Sequence, residues 1–162
     1  MKKLFIIRHA KSDWSNPHLK DFDRPLNHRG NKNVPFMGKL LKNNGVFPDL
    51  ILSSPALRAV STAKLLAKEI NYKNEIELNE NIYETDYQTL LDIIRNVSDK
   101  NKTVFIIGHN PGLSNLVDYI CPINLDMPTC AIVELDFNTP SWESISKENA
   151  TLASYEYPKK YK

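Results

Sequence analysis

Cysteine is scarce: the 162 residues hold two, Cys121 and Cys130, with no CxxC spacing and no second ligand-type residue beside either. That excludes a disulfide framework and a zinc ribbon, and predicts two packed thiols in a reduced, cytoplasmic chain. Glycine numbers only five, and no Gly/Ser linker, repeat or low-complexity tract occurs, so one domain is expected over residues 1–162. Long apolar runs are missing too. Lys2 and Lys3 before Leu4-Phe5-Ile6-Ile7 imitate the start of a signal peptide, but this run ends at Arg8-His9. It is too short for a signal-peptide core, and nothing later approaches the ~18 apolar residues of a membrane span. Charge of one sign is equally absent: 21 Lys and Arg face 19 Asp and Glu, which leaves no basic footprint for duplex binding. Neither nucleic acid nor membrane is expected as a partner, and any bound anion is expected to be small. A chain of this length buries roughly 70% of its unfolded surface, so its core needs no staples.

Three short β-rich runs stand out: Leu4 to Ile7, Leu50 to Leu52 and Val104 to Ile107, each followed by polar or turn residues, as buried parallel strands are. Helical patterns lie between them. Residues 29–43 carry Val34, Met37, Leu40 and Leu41, with Pro35 predicting a kink or a late start. Residues 55–70 carry a stripe of Leu57, Val60, Ala63, Leu66, Ala67 and Ile70. Tyr87 to Val97 and Leu113 to Ile120 read as two more helices, and Cys130 to Phe137 and Leu152 to Tyr157 as late antiparallel strands towards one edge. The alternation predicts an α/β fold, a three-layer sandwich with a mostly parallel central sheet and helices on both faces.

Ligands of open α/β sheets gather beyond the carboxyl ends of the strands. Arg8-His9 ends the first run and Gly108-His109 the third. One histidine at a strand end fits a hydrogen-bonded, partly buried ring; two, one of them beside an arginine, point to a site. Ser54-Pro55-Ala56-Leu57-Arg58 reads as an N-cap, a proline at the first helical position and an arginine in the first turn. A cation there opposes the helix dipole unless an anion is present. Asn110-Pro111-Gly112 repeats the cap-plus-proline pattern after His109, offering a second helix N-terminus. Together Arg8, His9, Arg58 and His109 suit a phosphoryl group, whose oxygens match forked guanidiniums. Taken singly, Arg8 also fits a surface ion pair, Arg58 a helix-face charge and His109 a cap. His18 and His28 read as loop residues, and Asp21-Phe22-Asp23-Arg24 as a polar turn, since no apolar strand precedes it. The sequence has no Gly-x-x-x-x-Gly-Lys-Ser/Thr loop, no Cys with Arg six residues on and no His-Glu-x-x-His, and arginines beside His9 would repel a divalent metal. A histidine nucleophile is what remains.

These residues resemble the histidine phosphatase superfamily, with its phosphoglycerate mutase-like fold. Leu4-Phe5-Ile6-Ile7-Arg8-His9-Ala10 is similar to its Arg-His-Gly signature, with Ala10 in place of Gly. Within the superfamily the chain looks most like the short SixA-type phosphohistidine phosphatases. The likeness rests on Arg8 through Trp14, Asp23-Arg24-Pro25-Leu26 with Arg29-Gly30, Ser53-Ser54-Pro55 with Arg58 and Thr62-Ala63, Gly108-His109-Asn110-Pro111-Gly112, and Pro128-Thr129. Trp142 and Tyr157-Pro158 extend it. The resemblance implies His9 as nucleophile, Arg8, Arg58 and His109 on the phosphoryl oxygens, and neither a cofactor nor a metal. Phosphohistidine in a protein, such as a docked phosphotransfer domain, is the implied substrate, since the short chain leaves little room for a lid. A small phosphomonoester is the alternative, and a phosphate-binding module without turnover is a reading of another class. A phosphoglycerate mutase ranks below these, because it needs a closed site. Many superfamily members supply a general acid after the third strand; here Glu84 is the candidate, with a solvated loop charge as the other reading. Lys159, Lys160 and Lys162 form a basic tail expected to be solvated.

Overall fold

The computed structural model describes residues 1–161, so Lys162 of the basic tail lies outside the described residues. The chain forms β1 (Lys2–Arg8), α1 (His28–Asn43), β2 (Leu50–Ser53), α2 (Leu57–Glu69), β3 (Glu77–Leu78), α3 (Tyr87–Arg95), β4 (Thr103–Gly108), α4 (Gly112–Ile120), β5 (Ile132–Phe137) and β6 (Ala150–Glu156). Four short 3-10 turns join them, including Asp21–Asp23 and Trp142–Ser144. The strands make one sheet in the order β3-β2-β4-β1-β5-β6. The first four run parallel, while β5 pairs antiparallel with β1 and β6 with β5.

Side-chain alternation divides the core into two layers. Leu4, Ile6, Val104 and Ile106 point to one face, where Leu90, Ile94, Leu113 and Val117 of α3 and α4 cover them. Phe5, Ile7, Phe105 and Ile107 point to the other, against Val34 and Met37 of α1 and Ala63 and Leu66 of α2. Phe5 and Phe105 lie with ring centroids 5.1 Å apart. This is the three-layer α/β arrangement the sequence predicts. Among the described residues, no helix is long and apolar enough to cross a membrane.

Several boundaries differ from expectation. Helix α1 starts at His28, whose place is therefore the first helical residue and not a loop. The Asn27 side chain fixes that start by accepting from the Gly30 N–H, and the helix runs on through Pro35. Burial of Val34, Met37 and Leu41 offsets the one hydrogen bond the proline forfeits, so no late start occurs. Helix α2 begins at Leu57, two residues after Pro55. Cys130 precedes β5 because its φ of 64° is left-handed and ends any extended run. β3 went unread in the sequence because it is two exposed residues long. In the basic tail, the Lys160 ammonium donates to the Tyr155 carbonyl and to Glu156, which ties that residue back to β6.

Candidate active site

Strand register builds the site. Arg8 pairs with Gly108 across β1 and β4, so the next residues, His9 and His109, leave the sheet level with each other. Their ring centroids lie 5.1 Å apart. The His9 N–H donates to the Gly108 carbonyl at 3.1 Å, and the His9 carbonyl accepts from the Cys130 N–H at 3.0 Å, which extends the ladder one step past the strands. Ser54, just beyond β2, donates its N–H to the Ile107 carbonyl and brings the start of α2 alongside. The resulting cleft of about 280 Å³ is lined by Arg8, His9, Lys11, Ser12, Trp14, Arg58, His109, Asn110 and Thr129. All four residues that sequence reasoning placed around a phosphoryl group therefore meet in one cleft. Glu84 does not join them: it stands exposed, with a left-handed φ of 49°, outside the lining.

The His9 ring is buried, and its Nδ1–H donates to the carbonyl of Ala10 at 2.7 Å. That bond fixes the tautomer, leaving Nε2 as the nitrogen with a free lone pair. Burial, then repulsion from Arg58 and Arg8, outweighs the Ala10 bond and Asp21 and pushes its pKa down to about 4. Ala10 is itself held, its N–H donating to the Thr62 hydroxyl, which in turn donates to the Arg58 carbonyl. Behind it, Gly30 of α1 packs so closely on the Lys11 carbonyl that a β-carbon there would clash. This gives the Arg29-Gly30 motif a packing role next to the nucleophile segment.

His109 is pushed lower still, to about 3, by burial and by the neighbouring His9 and Arg58. Its Nε2 lies 2.8 Å from the Ser54 hydroxyl. The hydroxyl therefore serves this ring as well as accepting from the Ala56 N–H. In the free cleft both histidines are neutral at pH 7; a bound dianion would favour returning a proton to them.

The arginines are anchored from behind. Arg8 Nη1 donates to the Met127 carbonyl at 2.9 Å, and burial lowers its pKa although Asp126 opposes the shift. Arg58 Nη1 donates to the Asp21 carbonyl at 2.7 Å and Nη2 to the Asp21 carboxylate at 3.0 Å. The Tyr83 hydroxyl donates to that same carboxylate oxygen at 2.7 Å. Burial alone would raise the Asp21 pKa, but the Tyr83 and Arg58 bonds bring it below the usual carboxylate range. Tyr83 is raised to about 12, chiefly by burial and then by Asp21. Among the described residues, three buried side-chain nitrogens have no hydrogen-bond partner: Arg8 Nε, His109 Nδ1 and Arg24 Nε. Two belong to cleft-lining residues, and the third to an arginine stacked on the liner Trp14.

Sequence reasoning missed Asp21, Tyr83 and the Ser54–His109 bond. Asp21 lies in the segment read as a polar turn, and nothing local says that such a turn will reach a guanidinium 37 residues away. Tyr83 sits beside the residue that was singled out, Glu84, and it is the tyrosine that reaches Asp21.

Comparison with known proteins bears on the family and the fold. A family profile for the histidine phosphatase superfamily (branch 1) matches residues 4–102. An uncharacterized chloroplastic protein of Arabidopsis thaliana is 30% identical over 151 residues, 88% of this chain and 69% of its own length. A crystal structure assigned to the phosphohistidine phosphatase SixA of Agrobacterium tumefaciens superposes with a TM-score of 0.83 at 25% identity, covering 97% of this chain and 98% of that one. The protein histidine phosphatase SixA complexed with tungstate gives a TM-score of 0.85 at 24% identity, with 99% of each chain covered. The profile takes in β1 with Arg8 and His9, and α2 with Arg58, and continues to the start of the β4 segment: the chain belongs to the histidine phosphatase superfamily.

Proposed function

We propose that this chain is a phosphatase that carries the phosphoryl group of protein-bound phosphohistidine through His9 to water. One observation carries the reading: a buried histidine, neutral at pH 7 and locked as its Nδ1–H tautomer, lines a cleft with two arginines and a second histidine. In the first step His9 Nε2 attacks phosphorus. The bond to the substrate imidazole breaks, and its electron pair leaves with the ring nitrogen. Arg8 and Arg58 hold the phosphoryl oxygens, with His109 beside them in the lining of the cleft. In the second step water attacks the phosphorus of phospho-His9, the Nε2–P bond breaks, and inorganic phosphate departs.

Leaving-group chemistry favours a phosphorus–nitrogen bond. An alkoxide needs a proton donor as it leaves, whereas no carboxylate lines the cleft among the described residues and Glu84 is exposed. An imidazole whose other ring nitrogen already carries a proton needs none, because it departs as the neutral ring. The comparisons support the same substrate class, since the SixA structures superpose at TM-scores of 0.83 and 0.85, whereas phosphoserine and alpha-ribazole-5'-P phosphatase structures that also cover 96–98% of this chain reach 0.66 to 0.74. A phosphorylated protein as partner follows, because the cleft opens to the surface beside the exposed Trp14.

The test is phosphate release from a phosphohistidine-bearing protein and from an alkyl phosphate monoester, in parallel, with the native chain and with His9→Ala. Release from phosphohistidine alone, lost in His9→Ala, is the expected result. Preference for the monoester moves the substrate to small metabolites, and phosphate binding without any turnover makes the chain a binding module.

A further inference from the structure

The chain has two tryptophans, and they could hardly differ more. Trp142 is fully buried, with its indole N–H donating to the Asn101 carbonyl. Trp14 is 65% exposed, yet it lines the cleft that holds His9. An exposed indole at a functional cleft is apolar area still open to solvent, the condition under which aromatic residues act as recognition surfaces.

Its setting makes Trp14 a platform. The Arg24 guanidinium carbon sits 3.8 Å from the ring centroid, covering one face of the indole. Arg24 is buried, with only a long 3.4 Å bond to the Asn16 carbonyl and with its Nε unpartnered. Neither residue swings on a free loop. The Asp13 N–H donates to the Pro25 carbonyl at 2.8 Å, and Ser12 pairs with Leu26 in an isolated bridge, so the two segments are clipped together directly next to the stack. A ring stacking there meets a pre-ordered partner, and little side-chain entropy is lost on binding.

Displacement geometry says what would use it. The entering nitrogen and the leaving group lie on opposite sides of phosphorus, roughly in line. His9 is buried and Trp14, in the same lining, is 65% exposed, so a group leaving on the side of phosphorus away from His9 has an exposed indole in its cleft to meet. We infer that Trp14, backed by Arg24, is a leaving-group subsite that stacks on the flat imidazole of phosphohistidine and so favours ring-bearing phosphoramidates over ringless ones. A guanidinium on one face draws electron density from the indole, which suits the other face to a neutral imidazole better than to an alkylammonium. This rests on the phosphatase reading above.

The experiment compares kcat/KM for free phosphohistidine and for phosphoramidate, which has the same phosphorus–nitrogen bond but no ring, in the native chain, Trp14→Ala and Trp14→Phe. The expected result is that Trp14→Ala lowers the phosphohistidine-to-phosphoramidate ratio about fivefold to tenfold, and that Trp14→Phe restores most of it. An unchanged ratio, whether both substrates fall together or neither does, overturns the subsite. A second readout does not depend on turnover. In His9→Ala, phosphohistidine should quench Trp14 emission over the constant background of buried Trp142, while phosphoramidate should not. Equal responses to the two ligands, or none to either, also overturn it. A native chain inert towards both of these and towards the phosphohistidine-bearing protein would instead sink the phosphatase reading, and the emission measurement would still decide the stacking.

Discussion

Two clefts of this molecule teach opposite lessons. The larger, about 1100 Å³, runs along the β3 edge and is lined by residues such as Asp49, Tyr72, Asn79 and Asp92. Several of its polar groups are already committed to the fold. The Asp49 carboxylate accepts from the Lys102 and Thr103 N–H groups, the Tyr72 hydroxyl joins Ile51 to Glu75, and the Asn79 side chain caps the turn that follows it. The smaller, about 280 Å³, gathers two arginines and two histidines and contains unpartnered Arg8 Nε and His109 Nδ1. Volume therefore does not mark the site. Crowded positive groups do, because their mutual repulsion is unfavourable until an anion arrives.

Single substitutions can break this contrast. His9→Ala is expected to reduce phosphate release from phosphohistidine by at least ~10³-fold, as loss of a covalent nucleophile does. Asp92→Ala, in the large cleft, is expected to change it by less than about twofold; comparable losses in steady-state assays would relocate the site. Next comes the clamp. Arg58→Ala is expected to cost about 10²-fold in kcat/KM, and Asp21→Asn, which leaves the guanidinium but removes the carboxylate that positions it, about tenfold. If Asp21→Asn matches the native rate, the Asp21–Arg58 pair is structural only.

Acid titration sharpens the comparison by stability. Both histidines are depressed from an ordinary 6.5, His9 to about 4 and His109 to about 3. Between those values and 6.5 the unfolded chain binds more protons than the folded one, so stability rises with pH across that window. Their contribution is complete above 6.5 and is lost as pH falls towards the folded values, with a slope of up to about 1.4 kcal/mol per pH unit for each ring. The melting temperature of the native chain should therefore fall from pH 6.5 to pH 4.5, and His9→Gln with His109→Gln should flatten the curve. An equal slope in both chains would mean that carboxylates dominate.

The smallest effect belongs to Glu84. Exposed and outside the cleft, it predicts that Glu84→Gln leaves both phosphohistidine turnover and any alkyl monoester hydrolysis within about twofold of native. A loss confined to the monoester would make Glu84 its proton donor.

Legibility followed length scale. β1, β2 and β4 were readable because each is a short β-rich apolar run buried on both faces, and α2 because its apolar stripe recurs at helical spacing. β3, with two exposed residues, carries no such pattern. The start of α2 was misread by two residues because Ser54-Pro55 looks like a helix opening, while in the fold the Ser54 hydroxyl also serves His109. Arg8, His9 and His109 were found because strand ends are local features, and Arg58 because a cation in a first helical turn is locally unfavourable.

The sequence by itself determined the α/β alternation, the two core faces and the four residues that face one another across the cleft, since each follows from periodicity or from position at an element's end. Only the tertiary structure decided which groups tune them. Asp21 holds Arg58 from 37 residues away, Tyr83 caps Asp21 from 62, and Ser54 meets His109 from 55. Hydrogen bonds at such separations depend on strand order and register, which no local pattern encodes, and the burial that keeps His9 neutral exists only once both helical layers have closed on the sheet.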